Sequence, residues 1–202
     1  MNKSYKIIIA TIISLLMIYL VYAGSYLPIR KGQFFISAYS SQPKSLDDFN
    51  NIYNQAIDFY SPIGKDEVIS SWMGVVLDLL TSSKSPPNRA VADDLIRQSG
   101  DRMIPIIKKG SGFLYSQNLY KLGLIYKTGA TMFQDQNYLN QAISVLELGL
   151  KSSPLRPIFL YNLFELYYYK HDVSGLKATG EVILKYWPQE TQVKQVVDSL
   201  GK

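Results

Sequence analysis

Residues 138–172 read YLNQAISVLELGLKSSPLRPIFLYNLFELYYYKHD, and the organisation of the C-terminal half follows from them. Apolar side chains recur there every three or four positions, which is the pattern of one buried face of an α-helix. Pro154 closes the first apolar helix of the stretch. Pro188 closes a later one, KATGEVILKYWP at 177–188, and the two prolines are 34 residues apart. This spacing indicates a structural unit that occurs twice.

A period of 34 residues is that of the tetratricopeptide repeat, a pair of antiparallel helices. The later unit resembles that repeat, with apolar or small residues at Leu160, Leu163, Phe164, Tyr167, Leu176, Gly180 and Ile183. We expect the helix pairs at about 116–154 and 157–190.

The earlier unit carries the stronger signature, Leu119-x-x-Leu122-Gly123-x-x-Tyr126. Its spacing is stretched by about two helical turns, so one added turn on each helix keeps both faces in register. We expect Gly123 to let a neighbouring helix approach and Tyr126 to fill the gap between helices.

The N-terminal segment is predicted to cross a membrane. Residues 7–23 read IIIATIISLLMIYLVYA, and no charge occurs between Lys6 and Arg30. The uncharged run of about 23 residues gives a helix of roughly 35 Å, against a hydrocarbon core of about 30 Å. We therefore predict a transmembrane signal anchor at 7–27 behind a cytoplasmic leader at 1–6.

Two properties of this helix have alternative predictions, namely its orientation in the membrane and whether it is cleaved. The basic leader favours export of the rest of the chain, although Arg30 and Lys31 on the far side weaken that rule. A cleaved signal peptide is the competing interpretation, since Val21-Tyr22-Ala23 has the spacing of a cleavage site.

Residues 28–45 are predicted to form a linker, because they contain Pro28, Gly32, Pro43 and several serines. The apolar patch Phe34-Phe35-Ile36 within it has two alternative positions, on the membrane surface or on the first helix of the following domain. That helical-repeat domain is expected at 46–200.

Three amphipathic helices are predicted before the repeats, at 46–60, 65–80 and 89–109, from the spacing of their apolar residues. Ser45 is a suitable N-cap for the first, and Pro105 is expected to bend the third. No segment alternates with the period of a strand. The predicted fold class is all-α, with an N-terminal transmembrane helix followed by an α-solenoid of tetratricopeptide-like antiparallel helix pairs.

The composition excludes several classes of protein. Of the 202 residues, 47% are hydrophobic and 18% charged, which excludes a largely disordered chain. There is no cysteine, so neither disulfides nor a thiolate metal site can form. The 21 Lys and Arg residues are scattered in ones and twos, so we expect no nucleic-acid partner.

The stretch 138–172 also resembles the helical-repeat tail at the C-terminus of bacterial O-antigen ligase and polymerase-like membrane proteins. The resemblance is carried by the elongated first hairpin, the junction Ser153-Pro154-Leu155-Arg156-Pro157 and the aromatic helix, and YNQAIDFYSPIGKDEV at 53–68 extends it over 46–190. Those ligases have many membrane helices that carry the glycan chemistry, and one is predicted here. The resemblance therefore implies the accessory domain without the catalytic part.

The expected binding surface is the concave side of the repeats, which the first helix of each pair lines. The outward residues of those helices are Gln117, Tyr120, Lys121, Lys127, Tyr161, Asn162, Glu165, Tyr168 and Tyr169. Packing is the alternative role for each tyrosine ring. A polar groove with tyrosines suits a protein or peptide partner, and a glycan is the second ligand class.

No catalytic, cofactor-binding or metal-binding residue is predicted. His171 lies beside Asp172 in an expected turn, where polar residues occur in any case. KKGSG at 108–112 lacks the rest of a phosphate-binding loop. The carboxylates near helix starts are expected to interact with helix dipoles, and they are Asp47, Asp48, Asp66, Glu67, Asp93 and Asp94.

These observations predict a single-pass scaffold of the bacterial inner (cytoplasmic) membrane. Its C-terminal domain is expected to be extracytoplasmic and to bind a protein partner, as an accessory to surface-polysaccharide assembly. The alternatives are a glycan-processing, O-antigen ligase-like enzyme fragment and a secreted soluble binding protein.

Overall fold

The computed structural model describes residues 3–82 and 87–200. Those residues form helices and short connections without any strand, so the all-α prediction is confirmed. The chain divides into two compact units, Met1–Trp72 and Met73–Lys202. Their boundary falls inside the segment 46–200 that was predicted as one domain.

The helices match most of the predicted segments, including those at 46–60, 65–80 and 89–109. In chain order the elements are α1 Lys3–Val21, a π-helical turn Tyr22–Tyr26, α2 Leu27–Ser40, α3 Leu46–Asp58, α4 Lys65–Thr81, α5 Arg89–Lys109, α6 Tyr115–Phe133, α7 Gln136–Ser152, α8 Pro157–Lys170, α9 Val173–Tyr186 and α10 Thr191–Ser199. Helices α1, α2 and α3 belong to the first unit, α5 to α10 belong to the second, and α4 spans the boundary.

One continuous helix, Ser4–Ser40, contains most of α1, the π-helical turn and all of α2. Among the described residues it is the one helix long and apolar enough to cross a membrane, and none of its most apolar stretch is buried within the protein. A signal sequence near the N-terminus also meets these criteria of length and composition. The π-helical turn ends two residues before Pro28, whose missing N–H interrupts regular α-helical hydrogen bonding.

The prediction of a linker at 28–45 is wrong as far as Ser40, because this segment is helical. The ring of Phe34 lies 5.2 Å from that of Phe59, and the ring of Phe35 lies 5.7 Å from that of Tyr53. These contacts dock α2 along α3. Burial of the aromatic rings against α3 outweighs the helix-breaking tendency of the local sequence.

Lys31 is buried within the first unit and closes the end of α3. Its ammonium group donates hydrogen bonds to the carbonyl oxygens of Ile57 at 3.0 Å and Phe59 at 2.7 Å. The last carbonyls of a helix have no partners within it, and a lysine can supply them. Ser45 caps the other end, accepting a hydrogen bond from the backbone N–H of Asp48, as predicted.

In the second unit each helix from α5 to α10 packs on the next, and α6 also touches α8. The pairs α6/α7 and α8/α9 coincide with the pairs predicted at about 116–154 and 157–190. A Cβ atom at Gly123 would lie 2.5 Å from the Leu146 side chain, so a glycine does permit the close approach of α6 and α7. One hydrophobic cluster between α7, α8 and α9 consists of Leu139, Ala142, Ile143, Leu146, Phe159, Leu163, Leu166, Tyr167 and Leu176.

Candidate functional site

A polar seam joins α6 to α8, the first helices of the two pairs. The ammonium group of Lys127 donates hydrogen bonds to the Oδ1 atom of Asn162 at 3.0 Å and to the carboxylate of Glu165. Tyr120 shares a hydrogen bond with Asn162 as well. Because the Asn162 amide donates in turn to the carbonyl oxygen of Ile158, its orientation is fixed. We call Gln117, Tyr120, Lys127, Asn162 and Glu165 the α6–α8 seam.

Arg156 extends the seam at the start of α8. Its guanidinium donates to the hydroxyl oxygen of Ser116 at 2.9 Å and to the side-chain oxygen of Gln117 at 3.3 Å. It also lies over the ring of Phe159, 5.9 Å from the centroid. Sequence reasoning missed Arg156, because it lies in a connection and not on a helix face. The sequence feature that could have indicated Arg156 is its place in the junction Ser153-Pro154-Leu155-Arg156-Pro157.

The seam is partly shielded from water and balanced in charge. The side chain of Lys127 is 20% exposed and that of Glu165 is 46% exposed, and the two form an ion pair. Burial raises the pKa of Tyr120, although the hydrogen bond with Asn162 and the charge of Arg156 act the other way. The seam therefore offers paired donors and acceptors, and Arg156 beside it adds a positive charge that is bonded to the neutral side chains of Ser116 and Gln117.

A pocket of about 300 Å³ opens beside the seam. Thr131 belongs to its wall and donates its hydroxyl to the carbonyl oxygen of Lys127, one helical turn earlier. Leu139 and Leu166 supply apolar surface, and the remaining wall residues are Ala130, Gln134, Asp135, Gln136 and Tyr169. The pocket has the size and mixed character to accept one side chain or a small part of a ligand.

Four of the predicted site residues lie away from the seam. Lys121 faces α4, since its ammonium group is 3.8 Å from where a Cβ atom at Gly74 would be, and burial lowers its pKa. The ring of Tyr161 packs 6.2 Å from that of Trp187. Tyr168 and Tyr169 are 57% and 56% exposed at the end of α8, and Tyr169 forms part of the pocket.

The polar residues at the helix connections are explained by local structure. His171 ends α8 with a φ of 58°, in the left-handed region, and Asp172 accepts a hydrogen bond from the backbone N–H of Gly175 at the start of α9. Across residues 3–82 and 87–200, no group of three or more His, Asp or Glu side chains is arranged to hold a metal ion.

The acidic residues of α3 and α4 do lie in first turns, as predicted. The same expectation is wrong for Asp93 and Asp94, which lie beyond the first turn of α5. Asp93 instead pairs with Arg89 and accepts a hydrogen bond from Tyr138, and Asp94 pairs with Arg97. Partners on other turns and helices determine their positions.

Comparisons with known proteins give no further assignment of this site. No family model matches the chain, and neither a curated protein nor a solved structure gives a match.

Proposed function

We propose that this protein is a membrane-anchored, tetratricopeptide-like scaffold that binds a peptide segment of a partner protein along the α6–α8 seam. The observation that carries the proposal is the hydrogen-bonded contact of Lys127 with Asn162 and Glu165. It brings polar groups from two successive first helices onto one surface, which is where stacked helix pairs bind ligands.

The chemistry of the seam suits a peptide. Asn and Gln side chains each offer a donor and an acceptor, the same pair of groups that a peptide bond offers. The adjoining pocket of about 300 Å³ has apolar walls at Leu139 and Leu166, which suit one apolar or aromatic side chain of the segment. Lys127 and Glu165 neutralise each other, so the charge that the segment meets beside the seam is the guanidinium of Arg156.

The apolar helix Ser4–Ser40 supports the anchoring part of the proposal. We assign its segment Ile7–Leu27 to the hydrocarbon core of the bacterial inner membrane, with the second unit on the extracytoplasmic side. The resemblance to O-antigen ligase tails favours a partner in surface-polysaccharide assembly. Retention of the protein in membranes after carbonate washing is expected, and release would favour the secreted alternative.

Site-specific photo-crosslinking in native membranes tests the peptide site. A photoreactive amino acid at Thr131, on the pocket wall, is expected to capture a protein partner. The same amino acid at Lys177, an exposed position on α9, is the matched control. The double substitution Glu165→Ala with Tyr169→Ala should remove the Thr131 crosslink while the helical content stays unchanged.

Two outcomes would contradict the peptide site. Capture of the same partner from Lys177 would place the contact elsewhere. Absence of any protein crosslink from Thr131 in a folded, membrane-bound chain would exclude the scaffold function and favour the glycan as ligand.

A further inference from the structure

Three connections of the second unit lie at the same end of its helices. They join α5 to α6 at 110–114, α7 to α8 at 153–156 and α9 to α10 at 187–190. The hydroxyl oxygens of Ser153 and Ser116 are 3.2 Å apart, which places the second connection beside the start of α6. The contact of Tyr161 with Trp187 places the third beside the first turns of α8.

Each of these connections contains or directly follows an exposed apolar side chain. Phe113 is 98% exposed, Leu155 is 50% exposed, and Tyr186, at the end of α9, is 46% exposed. Phe113 follows two glycines with positive φ, 66° at Gly110 and 138° at Gly112, a backbone path that other residues rarely adopt. Covering this phenylalanine with another surface would remove its apolar area from water, which is favourable.

Basic residues flank all three exposed side chains. They are Lys108 and Lys109 before Phe113, Lys151 and Arg156 around Leu155, and Lys185 before Tyr186. The acidic residue in these connections, Glu190, is hydrogen-bonded to Tyr161. We call Phe113, Leu155, Tyr186 and these five basic residues the basic-apolar edge.

The opposite end of the same helices has a different character. Its two-residue connections are Gln134-Asp135 and His171-Asp172, which are polar. Asp135 there is paired with Arg89, 2.7 Å from its guanidinium. Exposed apolar side chains occur at that end too, at Tyr168, Tyr169 and Val173. The two ends therefore differ in charge, since the five basic residues gather at the first end.

We propose that the basic-apolar edge rests on an anionic lipid surface. Lysine and arginine are attracted to anionic headgroups, and aromatic and aliphatic side chains immerse at the boundary with the acyl chains. Single apolar side chains on separate connections suit a fluid lipid surface better than a protein interface, which buries a contiguous patch. The proposal depends on the membrane anchoring argued above, because an anchor in the same chain keeps the second unit close to the bilayer.

The test uses the full-length chain, whose lack of cysteine allows a single label. Ser111→Cys, beside Phe113, carries an environment-sensitive nitrobenzoxadiazole fluorophore, and Val173→Cys, 54% exposed near the opposite end, is the matched control. The protein is reconstituted into phosphatidylcholine vesicles with or without about a third phosphatidylglycerol. The label at 111 should shift to the blue and brighten with phosphatidylglycerol, and the label at 173 should not.

Two further variants separate the charged and apolar contributions. Lys108→Gln and Lys109→Gln should each shift the equilibrium of the label at 111 toward water by about five-fold, and high salt should act in the same direction. Phe113→Ser should abolish the blue shift without changing the helical content.

Vesicle flotation distinguishes failure of this proposal from failure of the anchor. If the chain floats with the vesicles while the label at 111 stays in water, the edge does not bind lipid. A shift that depends on protein density and is equal in both lipids would show that a second copy covers the edge, which also overturns the proposal. Failure to float would overturn the anchoring itself.

Discussion

Lys127 on α6 donates a hydrogen bond of 3.0 Å to Asn162 on α8, which lies 35 residues later in the sequence. These two helices, the first of each pair, begin 42 residues apart, at Tyr115 and Pro157. Equivalent helices of successive pairs are therefore joined by a polar contact as well as by the apolar core. The same contact supplies the groups that we assign to ligand binding.

The ion pair in the seam should contribute little to stability. Because Glu165 is 46% exposed, a double-mutant cycle of Lys127→Met and Glu165→Gln should give a coupling of about 0.5 kcal/mol, decreasing with salt. Urea unfolding followed by circular dichroism measures it. A coupling above about 2 kcal/mol would mean that the pair is a structural requirement and is not available for a ligand.

The contact between α7 and α8 should not tolerate a larger residue at Gly149. A Cβ atom there would lie 2.2 Å from the ring of Phe159, which is fully buried. We expect Gly149→Ala to destabilise the protein by about 1–3 kcal/mol, the usual cost of overpacking a core. The melting temperature of the purified protein, followed by circular dichroism, measures this change.

Gly32→Ala is the control, because nothing lies within 4 Å of a Cβ atom at that helical position. Alanine forms helix more readily than glycine, so this variant should be unchanged or more stable by up to about 1 kcal/mol. Equal behaviour of the two variants would contradict the packing argument.

Sequence periodicity predicted the elements whose structure depends on local pattern. Helix α3 with its Ser45 cap, the two C-terminal pairs and the packing role of Gly123 all follow from residue spacing. Residues 28–40 were mispredicted because Pro28 and Gly32 are local helix breakers. The contacts of Phe34 and Phe35 that override them come from α3, beyond any local window.

The candidate site could be predicted only in part, because the neighbour that each side chain meets depends on contacts beyond its own helix. Lys121 and Lys127 lie on one helix and look alike in sequence, yet one faces α4 and the other faces α8. Which face meets which neighbour depends on tertiary packing. Arg156 was missed because it lies in a connection, where helical periodicity gives no information, and its contact with Ser116 on α6 depends on tertiary packing.

Removal of the Lys31 ammonium group should destabilise the last turn of α3. Lys31→Met would leave the carbonyl oxygens of Ile57 and Phe59 without this donor, at a cost of about 1–3 kcal/mol for a buried unsatisfied group. We expect faster hydrogen exchange in the last turn of α3, measured by mass spectrometry. Arg30→Met, at the exposed neighbouring position, is the control and should exchange like the wild type.

The contact between α5 and α7 should weaken in alkali through Tyr138. Burial and a 2.8 Å hydrogen bond to Asp93 raise the pKa of Tyr138 to about 12. Since an unfolded tyrosine ionises near pH 10, the stabilisation is complete below about pH 10 and is lost as the pH rises towards 12. Tyr138→Phe lacks the hydroxyl, so it should be less stable than the wild type by about 1 kcal/mol at neutral pH. That difference should shrink above pH 10 when unfolding free energies are compared, and parallel pH profiles for the two proteins would contradict the assignment.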